Sequence, residues 1–183
     1  MPGRIAREVS MNPLEHQNII LAGFMGTGKS STGKVLAKRL GWQFVDTDDL
    51  IEQEAGKSIT DIFSEDGEEP FRILERHVAA GIRDIRHRVV ATGGGILLDP
   101  VNRQNLENSG LLILLTADVD SIWDRIRKDA HRPLLQCEVP RSRIRELLDE
   151  RSSTYDRIHY RIDTGGIPVE KVADLVFEMV KHE

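Results

Sequence analysis

The chain has 183 residues, 39% of them hydrophobic, and a single cysteine, which suffices for one domain with a sizeable core and rules out an internal disulfide. Its net charge of −5 argues against a surface built for nucleic acid or anionic lipid, and no run approaches the roughly 18 apolar residues of a membrane span. The expectation is a soluble, cytoplasmic protein with a small-molecule partner and neither a nucleic-acid nor a membrane partner.

Residues 1–17 mix charge with Pro2, Gly3 and Pro13 without sustained periodicity and read as a loose tail, which leaves 18–183 as a single domain. The apolar run 19–22 reads as a buried strand. Directly after it stands GFMGTGKS, residues 23–30, opening into a helical stretch and matching G-x-x-x-x-G-K-[ST]. Glycines there let successive backbone N–H groups curl onto phosphate oxygens, helped by the dipole of the following helix. Lys29 then reaches the β- and γ-phosphates and Ser30 ligates Mg²⁺. A glycine-rich turn with an incidental lysine is the bland alternative, outweighed by eight residues in register between a strand and a helix.

The next strand, 42–45, runs into FVDTDDL, with Asp46 and Asp48 two residues apart; in an extended segment they would point the same way. Two carboxylates beside a metal nucleotide suggest a division of labour, one near Mg²⁺ and one receiving an acceptor hydroxyl. The competing reading is a helix N-cap at Thr47 or Asp48. A helical stripe follows in Phe71, Leu74, Val78, Ile82 and Ile85, with Arg72 at its start and Glu75 at i+3 to hold it.

Strand 89–92 leads into ATGGGIL. Three consecutive glycines, Gly93, Gly94 and Gly95, each cost backbone entropy and contribute no side chain, so something must approach the backbone closely. No acidic residue stands at the end of this strand, where P-loop proteins often carry one, so Asp46 takes the metal through water.

After a strand at 111–115, residues 125–145 hold Arg125, Arg127, Lys128, Arg132, Arg141, Arg143 and Arg145 against Asp129 and Glu138. At the centre, HRPLL with Pro133 and Pro140 reads as a mobile loop that brings Arg132 to a transferring phosphoryl group. Arg141, Arg143 and Arg145 read as a solvated face, and no aromatic residue is interleaved as a nucleic-acid patch would require. In the helix beyond, Ile144, Leu147 and Leu148 define a buried stripe on which Arg151 also falls. Inward arginines such as Arg151 and Arg72 suit a planar carboxylate; structural salt bridges are the alternative.

A weaker strand at 160–162 and a last stripe, Val169, Val172, Val176, Phe177 and Val180, complete an alternating pattern. It predicts an α/β fold: a five-stranded parallel sheet between helical layers, with ligands beyond the carboxyl ends of the strands. No Asn-Lys-x-Asp string is present, which argues against a GTPase, and the chain is too short for a motor.

GFMGTGKS, FVDTD, Phe71-Arg72, TGGG and RPLL, in this order and at these separations, resemble the shikimate kinase family over about residues 18–182. The resemblance implies a P-loop kinase of the nucleoside-monophosphate-kinase type, with an acceptor-binding region at about 47–80 and a lid at about 127–139. It implies a monomer that uses Mg²⁺ and transfers the γ-phosphoryl group of ATP to the 3-hydroxyl of shikimate, in the pathway to aromatic amino acids. By the same resemblance Asp48 would hold the shikimate hydroxyls and act as base, and Asp46 would sit in the magnesium environment. Arg72 and Arg151 would bind the carboxylate, beside Gly93, Gly94 and Gly95. Nucleotide would meet Gly26, Thr27, Gly28, Lys29, Ser30 and Ser31, the lid arginine Arg132, Arg125 stacked on adenine, and an adenine loop at 164–168 ending in Pro168. That loop is one residue shorter than the family's, and Ser31-Thr32 departs from its usual pair. A gluconate kinase would keep P-loop and lid without needing the arginine pair and triple glycine together. A non-catalytic nucleotide- or shikimate-sensing module would have lost Lys29, Asp48 or Arg132.

Overall fold

The computed structural model describes residues 18–127 and 140–181. The expected tail, and the lid stretch 128–139 with Arg132, lie outside the described residues.

Five parallel strands form one sheet in the order β2-β3-β1-β4-β5: β1 Asn18–Gly23, β2 Gln43–Asp46, β3 Arg88–Ala91, β4 Gly110–Thr116 and β5 Tyr160–Asp163. All six residues of β1 are buried because helices cover both faces of the sheet. The period of two assigns the layers. Ile19 and Leu21 pack with Leu36 and Ala37 of α1 (Lys29–Leu40) and with Val172, Val176 and Val180 of α8 (Val169–Lys181). Ile20 and Ala22 face the opposite layer, meeting Ala79 of α4 (Glu68–Gly81), Leu106 of α5 (Pro100–Ser109) and Tyr155 of α7 (Pro140–Tyr155). Each fully buried Ile, Leu or Val among them contributes roughly 1.5–3 kcal/mol, so this two-sided core is the main source of stability.

Helix α1 lies unusually close to the sheet at Gly33, where a Cβ would stand 2.6 Å from the Phe44 ring of β2. That approach fixes the helix that carries the phosphate loop. Between β2 and α4 lie α2 (Thr47–Ala55), a single turn α3 (Ile59–Asp61) and one turn of π-helix at Ile62–Asp66. Helix α6 (Val119–Ile126) follows β4.

One helix ends earlier than its apolar stripe predicts. Regular α-helix stops at Gly81, a tighter turn covers Ile82–Asp84, and Ile85 is extended (φ −107°, ψ 156°). The cause is distant in sequence: the buried Asn18 amide donates to the carbonyls of Ile82 (3.4 Å), Ile85 (2.9 Å) and Ser109 (3.1 Å). Its oxygen accepts the Arg88 N–H at 3.1 Å, so carbonyls that another helical turn would have engaged are satisfied from β1.

Candidate active site

The stretch between β1 and α1 curls back on itself through Gly26 (φ 77°) and Gly28 (φ 90°), backbone conformations that favour glycine. Gly28 caps α1 without a side-chain hydrogen bond, and the first turn has no acidic residue, so the positive end of the helix dipole is left facing the loop. Lys29 is buried, and its ammonium donates to the carbonyls of Gly23 and Phe24, each at 2.9 Å. Thr27 Oγ1 donates to the same Phe24 oxygen at 2.8 Å. The loop thus holds its own cation on its own carbonyls.

A cleft of about 450 Å³ opens beside this loop, lined by Gly26, Thr27, Gly28, Lys29, Ser30, Ser31, Arg125, Thr164 and Pro168, among others. It unites every expected nucleotide contact except Arg132, which lies outside the described residues. Arg125 spans the mouth, donating to the Gly26 carbonyl at 3.1 Å and to Thr164 Oγ1 at 3.0 Å. Thr164 Oγ1 also lies 3.1 Å from the Thr27 carbonyl and 3.0 Å from that of Thr116. The phosphate loop and the loop after β5 are thereby tied together through the Arg125 guanidinium and the Thr164 hydroxyl.

On the other side of the P-loop, Ser30 Oγ donates to Asp46 Oδ2 at 2.8 Å. Asp46 is also the N-cap of α2, its Oδ1 accepting the Asp48 N–H at 3.1 Å. Two expectations are corrected here. The cap is Asp46 rather than Thr47 or Asp48, and Asp48 stands in the first helical turn, so the two carboxylates do not share an extended strand. Extended backbone ends at Asp46 because its own side chain starts the helix.

Thr47 contributes in another way, for its buried Oγ1 accepts the Gly93 N–H at 2.8 Å and docks α2 onto the three glycines. What approaches that backbone is now defined. A Cβ on Gly93 would lie 2.4 Å from Asp48 Oδ1, one on Gly94 3.3 Å from Arg151 Nη1, and one on Gly95 3.3 Å from Arg72 Nη1. Three successive glycines thus admit three charged side chains from α2, α7 and α4.

The two arginines sit in different electrostatic settings. Arg72 is half-exposed and donates to Glu75 at 2.6 Å and Glu68 at 2.9 Å. Burial pushes the Glu75 carboxyl above the usual carboxylate range, against the opposing pull of Arg72. Arg151 is 9% exposed and donates to the Gly94 carbonyl at 2.8 Å; among the described residues it makes no ion pair. Tyr155 Oη approaches the same carbonyl at 3.4 Å, and burial raises its hydroxyl pKa while Arg151 opposes the rise. The inward turn of Arg151 agrees with its stripe. The sequence did not disclose these roles of Thr47, Tyr155 and Thr164; only the i+4 spacing of Tyr155 from Arg151 hints at a shared face.

Ser30 and Asp46 offer a hydroxyl and a carboxylate, hard oxygen donors that fit Mg²⁺. Among the described residues no cluster of three or more His, Cys, Asp or Glu side chains could hold a metal. A magnesium ion here would complete its shell with phosphate oxygens and water.

A family profile described as shikimate kinase matches residues 25–181. The shikimate kinase of Thermodesulfovibrio yellowstonii is 43% identical over 162 residues, spanning 88% of this chain and 94% of that one. Among solved structures, the shikimate kinase of Acinetobacter baumannii in complex with shikimate superposes with a TM-score of 0.86 at 35% identity, covering 91% of this chain and 94% of that chain. A gluconokinase from Sinorhizobium meliloti gives a TM-score of 0.54 at 18% identity over 91% of this chain and 92% of its own, a likeness of fold alone.

Proposed function

The chain belongs to the shikimate kinase family, and we propose that it transfers the γ-phosphoryl group of ATP to the 3-hydroxyl of shikimate, giving shikimate 3-phosphate and ADP. The observation that carries the reading is the run of glycines from 93 to 95. It gathers Asp48, Arg151 and Arg72 along one edge, next to a loop built for phosphate. Arg151 is a buried cation without a carboxylate partner among the described residues, which suits it to an anionic acceptor.

In this reading the carboxylate of shikimate is gripped by Arg151 and Arg72, whose planar guanidinium groups match it in bidentate fashion. Asp48 accepts hydrogen bonds from the ring hydroxyls and receives the proton of the attacking 3-hydroxyl as the new O–P bond forms and the bond to ADP breaks. Lys29 leaves the Gly23 and Phe24 carbonyls for the phosphate oxygens, where its charge offsets that of the transferring group. Arg125 and Pro168 border the adenine, with Arg125 stacked on the base, and Arg132 reaches the phosphates from the lid. Ser30, with Asp46 acting through water, would hold Mg²⁺, which neutralises charge on the β- and γ-phosphates. A monomer that works in the cytoplasm is part of this reading. Among the described residues no helix is long and apolar enough to cross a membrane.

The experiment is a coupled assay of ADP release with ATP and Mg²⁺ present and shikimate, gluconate or no acceptor added. Release that depends on shikimate supports the assignment. Release with gluconate instead overturns the acceptor, and nucleotide binding without any release points to a sensing module.

A further inference from the structure

Lys29, Ser30 and the loop glycines account for the phosphate chemistry of GFMGTGKS, but the signature leaves position 24 open to any residue. Phe24 occupies it, at 1% exposure. Its backbone is part of the phosphate loop: the carbonyl receives Lys29 Nζ at 2.9 Å and Thr27 Oγ1 at 2.8 Å. Its ring lies under Arg151, with the guanidinium carbon 5.0 Å from the ring centroid. That separation falls within the reach of a cation–π contact.

We infer that Phe24 is the positioning residue that holds Arg151 for the acceptor's carboxylate, a step that rests on the role assigned to Arg151 above. The guanidinium is fixed at two points. Its carbon lies over the Phe24 ring, and its Nη1 donates to the Gly94 carbonyl at 2.8 Å. A guanidinium held by a ring on one side and a carbonyl on another loses rotational freedom, so its remaining N–H groups are aimed before the acceptor arrives. The ring is itself immobilised among Ile122 and Ile126 of α6 and Ile144 and Leu147 of α7, the helix that carries Arg151. A leucine or methionine could fill that apolar space but has no π face to offer a cation. Phosphate binding requires no aromatic residue at this position; orientation of the acceptor does.

The test compares wild type, Phe24→Leu, and a protein carrying pentafluorophenylalanine at position 24, which keeps the shape of the ring and reverses its quadrupole. Steady-state kinetics are measured with shikimate and with ATP varied, and the melting midpoint is recorded for each. Both replacements should raise the KM for shikimate roughly two- to thirty-fold while the KM for ATP stays within about two-fold. In an Arg151→Gln background the Phe24→Leu change should add less than about two-fold, because the partner is already gone. An unchanged shikimate KM with the fluorinated ring, or an equal factor in both backgrounds, reduces Phe24 to packing and overturns the inference. Should Phe24→Leu fail to fold, the fluorinated protein gives the same reading. If the wild type releases no ADP with shikimate, the proposed function falls and takes this inference with it; if it does, any failure belongs to Phe24 alone.

Discussion

Asp48 occupies the space that a side chain on Gly93 would need: a Cβ there would come within 2.4 Å of Asp48 Oδ1. Gly93→Ala therefore pushes the carboxylate off its position, and a shift of about 1 Å at a reacting group can lower the rate roughly 100-fold. The neighbour that must yield is the end of one side chain, so the fold should survive. The expected result is a large loss of kcat with a melting midpoint close to that of wild type. Full activity in Gly93→Ala would remove Asp48 from the reaction.

Lys29→Ala deletes the charge that bridges the phosphates and should abolish transfer while leaving the circular dichroism spectrum unchanged. The loss of stability should be modest, because the Phe24 carbonyl keeps its bond from Thr27 Oγ1 and only the bond to the Gly23 carbonyl goes without replacement, a cost of about 1 kcal/mol. Wild-type turnover in this variant would sink the assignment of the loop.

Arg72→Ala and Arg151→Ala should both raise the KM for shikimate and spare ATP, and their effects should not add, since each breaks the same shared contact. They should part company in thermal stability. Arg72→Ala strands Glu75, 2% exposed, without its counter-charge, which costs on the order of 1 kcal/mol once the half-exposed position of Arg72 is discounted. Arg151 leaves no buried carboxylate behind, so its loss should be felt in acceptor binding first. A ring analogue that keeps the three hydroxyls but lacks the carboxylate should be poorer by roughly 10⁴. Comparable rates for analogue and shikimate would make both arginines structural.

Glu75 gives stability a pH dependence of its own. Its carboxyl titrates above the usual range because burial disfavours the charge, with Arg72 only partly compensating. A raised pKa means that the folded state binds the proton more tightly than the unfolded chain does. The contribution is fully present below the ordinary glutamate pKa and is lost as pH rises through the elevated one. Denaturant titrations of wild type and Glu75→Gln across that window should show the advantage of wild type shrinking toward neutral pH. A difference that grows with pH would mean that Arg72 overcomes burial.

What was legible in the sequence was local. Strands such as 19–22 announce themselves by an unbroken apolar run, and the phosphate loop by a register that tolerates no displacement. Arg151 could be placed inward because it shares a seven-residue spacing with Ile144. Three glycines revealed a close approach, but not that its partners would be Asp48, Arg151 and Arg72, which arrive from three helices. The end of α4 was out of reach for the same reason: Asn18, 64 residues earlier, takes the Ile82 carbonyl. The turn from Asp46 to Asp48 escapes a sequence reading because a carboxylate can cap a helix and face a serine hydroxyl at once, and propensity does not choose between these uses.

The Asn18 amide also divides the labour between the two ends of the sheet. It clasps the chain just before β3 and just before β4 to the first residue of β1, at the edge farthest from the phosphate loop. Strand register is secured there, so the opposite rim carries the chemistry without also having to hold the sheet together. Substitutions that retune the acceptor pocket can accumulate at that rim at small cost to foldedness, whereas a change at Asn18 would slacken the whole scaffold while touching no substrate.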